Sequence, residues 1–153
     1  MKYKGYLKSN IGVICVEDNG EKIVSVQLCE KTENGNLSAI TQQAIQQLEE
    51  YFSGARKNFD LPLEMNGTEF QLKVWNELCN IPYGETRSYK DIAEKIGNPK
   101  AVRAVGGANN KNKLMIIVPC HRVIGADGSL TGYAGGMDAK KKLIELEKKY
   151  KLF

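Results

Sequence analysis

Ser88-Tyr89-Lys90-Asp91-Ile92-Ala93-Glu94-Lys95-Ile96-Gly97-Asn98-Pro99-Lys100-Ala101-Val102-Arg103-Ala104-Val105-Gly106-Gly107-Ala108 is the stretch on which the fold turns. Ser88 has the side chain of a helix N-cap, and Ile92, Ala93 and Ile96 then share one helical face. Gly97 suits the left-handed residue that closes a helix, and Pro99 suits the first position of the next, so the spacing predicts helices over 89–96 and 99–108. The second is made almost wholly of Ala, Val and Gly, with Arg103 projecting from it. A core helix would carry Leu and Phe, whereas small residues let a helix backbone approach another surface closely. Helix, tight glycine turn and short second helix describe a helix-turn-helix, with an ordinary αα-hairpin as the plainer alternative.

Upstream, Thr68-Glu69-Phe70-Gln71 is a capping box that opens another helix with the stripe Phe70, Val74, Leu78 and Ile81. Trp75 and Cys79 flank that stripe and read as packing residues, and Pro82-Tyr83-Gly84 ends it in a turn. The first third is β-rich. Runs at 3–8, 11–16 and 23–28 read as three antiparallel strands, with Asn19-Gly20 as a hairpin turn between the second and third. A helix at 38–51 follows, and Ser53-Gly54 and Leu61-Pro62 then break the pattern. These breaks divide the chain into a unit at 1–66 and a unit at 67–153. Cys15 and Cys29 fall on strands and read as small buried hydrophobes.

Downstream, the apolar run 114–118 reads as a buried strand that delivers Pro119-Cys120-His121-Arg122-Val123-Ile124-Gly125. A thiolate is the reactive form of cysteine, and a neighbouring histidine or positive charge favours it. Adjacent strand residues face opposite ways, so His121 can serve Cys120 only if the chain turns there or a water bridges them. A buried cysteine beside a surface histidine is the alternative. In the C-terminal helix at 138–150, which Asp138 can cap, Glu147 lies one turn beyond Leu143 on the inward flank. An inward carboxylate needs a partner, and His121 is a candidate; a water-facing Glu147 fits the pattern equally well.

The chain has 153 residues, 42% hydrophobic and 26% charged, an ordinary globular balance. No run approaches the roughly 20 apolar residues that span a bilayer. The N-terminal residues are polar and alternating, so the expected location is the cytoplasm, or the nucleus in a nucleated cell. Four cysteines without a C-x-x-C pair make a disulfide framework a poor explanation, and a single histidine excludes a His-rich zinc site. Residues 1–65 carry a balance of −2 and residues 66–153 a balance of +6. Eight basic residues fall between Arg87 and Arg122 against only Asp91 and Glu94. That density suits a phosphate-facing surface, although a solvated basic face produces the same count.

Taken together the segments resemble the O6-alkylguanine-DNA alkyltransferases. The resemblance runs in order over 67–147. It comprises Gly67-Thr68-x-Phe70-Gln71, Trp75, Ile81-Pro82-Tyr83-Gly84-Glu85-Thr86, Ser88-Tyr89, Gly97-Asn98-Pro99, Ala101-Val102-Arg103-Ala104-Val105-Gly106, Asn109, Ile117-Val118-Pro119-Cys120-His121-Arg122-Val123-Ile124 and Leu130-x-Gly132-Tyr133-Ala134-Gly135-Gly136. Residues 1–66 match only in general build.

The resemblance implies an α+β fold: a small antiparallel three-stranded sheet with a helix, ribonuclease H-like, followed by a mostly helical, winged-helix-like domain carrying the active site. It implies that Cys120 takes the alkyl group from guanine O6 in DNA, and from O4-alkylthymine, once and irreversibly, on a flipped nucleotide. His121 would act as base through a water, oriented by Glu147, and Asn112 would hold the turn carrying the active-site strand. Tyr89 would crowd the phosphate and help protonate the leaving base. Tyr133 would wall the pocket, the carbonyls of Cys120 and Val123 would accept from the guanine amino group, and Lys140 would favour the leaving guanine. Arg103 would replace the extruded nucleotide, on a helix whose Ala101 and Gly106 face the minor groove of double-stranded DNA. The expected molecule is a monomer without membrane attachment and without cofactor.

Two departures stand out. Lys113 follows Asn112 where the family commonly has proline, which implies a looser turn. Some relatives bind structural zinc in the N-terminal domain, whereas Cys15 and Cys29 have no histidine to join them, so no metal is expected. The rivals from other classes are a DNA-binding regulator with an incidental Cys-His pair and a thiol hydrolase of small molecules.

Overall fold

Strands β1 (Tyr3–Ser9), β2 (Gly12–Asp18) and β3 (Ile23–Cys29) form an antiparallel sheet in that order, with Gly5 opposite Val16 and Val16 opposite Val26. These positions come from a computed structural model that describes residues 2–30, 32, 35–130, 133 and 135–151; Gly132 and Ala134 of the sequence motif lie outside the described residues. Strand alternation sends Ile14, Val16 and Asp18 of β2 inward. Cys15 takes the opposite face and is only half-buried, as is Cys29, so neither is the buried hydrophobe its sequence position suggested.

Helix α1 (Ala39–Phe52) is capped by Ser38, whose hydroxyl accepts from the Thr41 amide, and buries Ala44, Leu48 and Tyr51. It lies so close to β1 that a Cβ at Gly5 would come within 2.5–2.8 Å of Ile45, Thr41 and Leu37. Any larger residue there would push these side chains aside. The chain returns along β3, where Ile23 donates to the Pro62 carbonyl and accepts from the Glu64 amide.

Helix α2 (Glu69–Leu78) begins with the expected capping box of Thr68 and Gln71, and buries Val74, Trp75 and Leu78. Cys79, at its C-cap, is exposed instead of packed, on the solvent side of the last turn. A two-residue β4 (Arg87–Ser88) leads into α3 (Tyr89–Lys95), where Ser88 and Asp91 form a second capping box. Gly97 has φ +80 and closes α3, with its amide on the Glu94 carbonyl and that of Asn98 on Ala93.

Pro99 does not begin the next helix. Asn98 to Ala101 form a turn closed by the Ala101 amide on the Asn98 carbonyl, and α4 (Val102–Asn110) starts three residues later than its sequence suggested. The Trp75 indole donates to the Ala108 carbonyl at 2.8 Å and locks α2 to α4.

Residues 114–118, buried except for the half-buried Ile117, form no strand. Ile116 has φ +73, Ile117 donates to the Met115 carbonyl and Val118 to that of Leu114, so the run is a folded turn. The apolar pattern reported burial correctly and conformation wrongly. Asn112 holds this turn from both sides: its amide donates to the Val118 carbonyl at 2.8 Å, and its oxygen accepts from Leu114 at 2.9 Å. Strand β5 (Val123–Ile124) pairs in parallel with β4. Helix α5 (Met137–Tyr150) starts from Gly136, at φ +95, without a side-chain cap; Asp138 stands in the first turn and caps nothing.

Val26 of β3 donates to the Lys113 carbonyl and accepts from Met115, so the sheet is hydrogen-bonded to the turn that precedes Cys120. Lys113 thus takes part through its carbonyl, and the Asn112 bonds keep the turn closed without a proline. The buried core is continuous from Ile14 through Leu48 and Val74 to Leu143. No helix among the described residues is long and apolar enough to cross a membrane.

Candidate active site

Cys120, His121 and Arg122 form a single 3-10 turn between Pro119 and β5. The chain therefore turns where the sequence left a choice between a turn and an extended strand. All three residues are buried, with 2%, 0% and 7% of their surface exposed. Asn109, itself buried, donates to the Cys120 carbonyl at 3.3 Å.

Glu147 is 2% exposed and faces this turn from α5. His121 Nε2 lies 2.6 Å from Glu147 Oε2. Arg122 grips the same carboxylate with Nε on Oε1 at 2.8 Å and Nη2 on Oε2 at 3.0 Å, while its Nη1 donates to the Ile81 carbonyl at 2.7 Å. The Gly84 amide donates to Oε1 at 3.1 Å and the Tyr51 hydroxyl to Oε2 at 2.7 Å. Burial opposes ionisation of Glu147, but the hydrogen bonds and charges of His121 and Arg122 outweigh it and hold the carboxyl well below its ordinary range.

An ionised carboxylate only accepts, so the proton between the two groups sits on His121 Nε2. That leaves the Nδ1 lone pair uncommitted, and Nδ1 is buried without a hydrogen-bond partner among the described residues. Burial lowers the His121 pKa, against the pull of Glu147, so the ring is neutral at pH 7 and can accept a proton.

Burial also raises the Cys120 thiol to about 11. The Asn112 side chain, the Lys140 charge and the Tyr133 hydroxyl work the other way, although the last faces the sulfur without a hydrogen bond of ordinary geometry. At neutral pH the resting residue is a thiol, and it becomes a nucleophile only as its proton leaves. Lys140 is fully buried, donates to the Val123 carbonyl at 2.5 Å and lies 5.8 Å from the centre of the Tyr89 ring. Desolvation pulls its ammonium down to about 8.

A cavity of about 260 Å³ opens onto Cys120, lined also by Tyr133, Asn112, Met115 and, from β3, Gln27 and Leu28. The structure thus gathers Cys120, His121, Glu147, Asn112, Tyr133, Val123, Lys140 and Tyr89 in one region. Arg103 stands apart, exposed on the outer face of α4 with Val102, Ala104 and Gly107, while Ala101 precedes that helix without a side-chain cap and Gly106 faces the Tyr89 ring.

Sequence reasoning missed Tyr51, the Gly84 amide and the β3 wall of the cavity. Tyr51 was legible in part: it completes the spacing of Ala44 and Leu48, and a buried tyrosine hydroxyl usually needs a partner. Arg122 was counted with the outward basic residues, whereas it is buried against Glu147. Lys90, Lys95, Lys100, Arg103, Lys111 and Lys113 are the exposed members of that group. Among the described residues no group of three His, Cys, Asp or Glu side chains could hold a metal ion.

Two sequence models of one family match the chain: the "6-O-methylguanine DNA methyltransferase, ribonuclease-like domain" over residues 2–65 and the "6-O-methylguanine DNA methyltransferase, DNA binding domain" over residues 69–149. A methylated-DNA–protein-cysteine methyltransferase of Methanosarcina barkeri is 62% identical over 105 residues, and the match spans 69% of this chain and 66%, about two thirds, of that relative. The crystal structure of the Mycobacterium tuberculosis O6-methylguanine methyltransferase superposes with a TM-score of 0.90 at 44% identity, covering 98% of this chain and 94% of that one. The M. tuberculosis OGT solved in complex with DNA superposes at 0.87, with 46% identity and coverage of 95% and 92%. With a fold, a buried Cys-His-Glu cluster and both domain matches in agreement, the chain belongs to the 6-O-methylguanine DNA methyltransferase family, the methylated-DNA–protein-cysteine methyltransferases.

Proposed function

We propose that this protein repairs O6-alkylguanine in DNA directly, by moving the alkyl group onto its own Cys120. The observation that carries the reading is the 2.6 Å contact of His121 with Glu147 beside a buried, protonated Cys120. A thiol of that kind needs a base, and the neutral His121 with an uncommitted Nδ1 is one. The Cys120 proton passes to His121 Nδ1 through a water, and Glu147 stabilises the imidazolium that forms. The sulfur attacks the alkyl carbon, the C–O6 bond breaks, and its electron pair stays with the guanine, which takes a proton from the Tyr89 hydroxyl. Lys140 stabilises the negative charge on the departing base. A thioether has no ready leaving group, so each molecule reacts once.

Guanine O6 faces the major groove inside a stacked duplex and cannot meet a buried sulfur, so the nucleotide must be flipped at a cost of a few kcal/mol. Arg103 takes its place in the stack, with its planar guanidinium against the neighbouring bases. The outer face of α4 suits this: Gly107 has open space around it and a methyl at Gly106 would meet only the Tyr89 ring at 3.9 Å, so internal packing does not demand either glycine. Their small size lets α4, from Ala101 onward, lie close to a minor groove. In the cavity, Tyr133 walls the base, and the Cys120 and Val123 carbonyls read its amino group. O4-alkylthymine offers the same alkyl–oxygen bond. We take the DNA-binding part to be residues 67–153, and the protein to act as a monomer where DNA is held, in the cytoplasm or the nucleus.

The test is intact and peptide mass after mixing with an oligonucleotide that carries O6-methylguanine. One methyl group on the peptide holding Cys120, once per molecule and absent in Cys120→Ala, is the expected outcome. An unchanged mass with DNA still bound would indicate a regulator instead.

A further inference from the structure

We infer that Tyr51, on the helix of the N-terminal sheet unit, is a positioning residue for the alkyl transfer, because its hydroxyl donates to the same Glu147 oxygen that receives His121. The inference rests on the reading of Cys120 and His121 given above. Tyr51 is fully buried at the end of α1, and its hydroxyl lies 2.7 Å from Glu147 Oε2 across 96 residues of sequence. Its ring is fixed by Phe52 edge-on at 5.3 Å, by Phe59 at 5.5 Å and by Tyr83 edge-on at 6.2 Å, so the hydroxyl has little freedom to point elsewhere. Burial and the adjacent carboxylate raise the Tyr51 pKa well above the ordinary value, which keeps the group a donor.

Oε2 therefore receives three donors: Tyr51, His121 and Arg122 Nη2. Each bond disperses charge that the carboxylate would otherwise offer to His121. The Tyr51 bond thus limits how basic Glu147 makes the imidazole, and keeps the ring neutral until the thiol proton arrives. The other groups that bear on this pair are Tyr83 and the Gly84 amide from the turn before β4, Cys120 and Arg122 from the 3-10 turn, Tyr133, and Lys140 from α5. Among the described residues only Tyr51 comes from the N-terminal unit. Besides the β3 residues that wall the cavity, the sheet unit thus reaches the Glu147 carboxylate behind His121 through one hydroxyl.

Tyr51→Phe in the full chain removes that hydroxyl and keeps the ring. Glu147 then becomes more basic and His121 holds its proton more tightly. The acid limb of the rate of transfer from free O6-benzylguanine should shift to higher pH, by about half a unit. Because His121 is the only histidine, its imidazole N–H gives one proton magnetic resonance signal, and that signal should move downfield as the bond to Oε2 strengthens. Ile14→Val thins the core of the same unit outside that ring cluster; it should lower the melting temperature and leave both readouts in place. An unshifted acid limb and an unmoved signal in Tyr51→Phe would overturn the inference, as would equal shifts in Ile14→Val. The resonance readout needs no activity, so a wild-type protein that fails to take up an alkyl group would count against the function and not against this positioning role.

Discussion

Asp18 and Glu147 are both buried carboxylates, and the difference between their surroundings separates a structural role from a chemical one. Asp18, at the end of β2, accepts from the Ser38 and Thr41 hydroxyls and from the Gly20 amide, and so ties the hairpin turn to the cap of α1. Burial opposes its ionisation, but those donors prevail and lower its pKa. Glu147 is held by more, five hydrogen bonds from four residues, and its pKa is lowered too, yet one of its donors is an imidazole and two belong to a guanidinium. Hydroxyls and amides keep their protons throughout the working range of a protein, whereas an imidazole can change state. A buried carboxylate is a fastening when its partners cannot titrate, and part of a relay when one of them can.

The comparison can be broken most forcefully at Glu147. Glu147→Gln leaves Arg122 buried without its counter-charge and sets against His121 an amide that can donate as well as accept, so the tautomer is no longer fixed. Single-turnover transfer should slow by about 10²–10⁴-fold, and urea unfolding should show a loss of about 3–5 kcal/mol. An exposed charge sharpens the contrast from the other side: Arg103→Ala should slow repair in duplex DNA roughly 10- to 100-fold, the size of a partly uncompensated flip. It should leave stability and reaction with free O6-benzylguanine as they were. Equal slowing on both substrates would remove Arg103 from the stack. Asp18→Asn should cost about 1–2 kcal/mol of stability from weakened bonds to a charged acceptor, with the transfer rate unchanged. A slowed rate would mean that the fastening also acts in the relay.

The smallest effect is on acid stability. Both carboxylates have folded pKa values below their unfolded ones, so their contribution is complete above roughly pH 4 and is lost as pH falls through the folded values. His121 is a base held neutral by burial: the unfolded chain binds its proton first, so stability already declines below about pH 6.5. The melting temperature should therefore fall in two stages on acidification. Asp18→Asn should soften only the lower one, and Glu147→Gln should alter both.

The helical parts were largely legible in the sequence. Thr68 with Gln71 and Ser88 with Asp91 form capping boxes, and Gly97 closes α3 at positive φ, because caps are decided by residues within a few positions of one another. The failures share a cause. The run 114–118 was apolar enough for a strand, but Asn112 and Ile116 fold it into a turn, and periodicity reports burial better than dihedral angles. Pro99 could have opened a helix, but the Asn98–Ala101 turn comes first. Arg122 looked like one more surface cation because a count of charges carries no direction.

The sequence by itself determined the two candidate reacting residues, since a single histidine beside a cysteine leaves no other pair, and it determined the order of the three N-terminal strands and the five helices, since caps, turns and periodic stripes are local. Only the tertiary structure decided which groups surround them. Glu147 could have faced water, and Tyr51 stood in a different unit 96 residues away from it. Their meeting on one carboxylate depends on how α1, the 3-10 turn and α5 pack, which is a property of the folded core and not of any one segment.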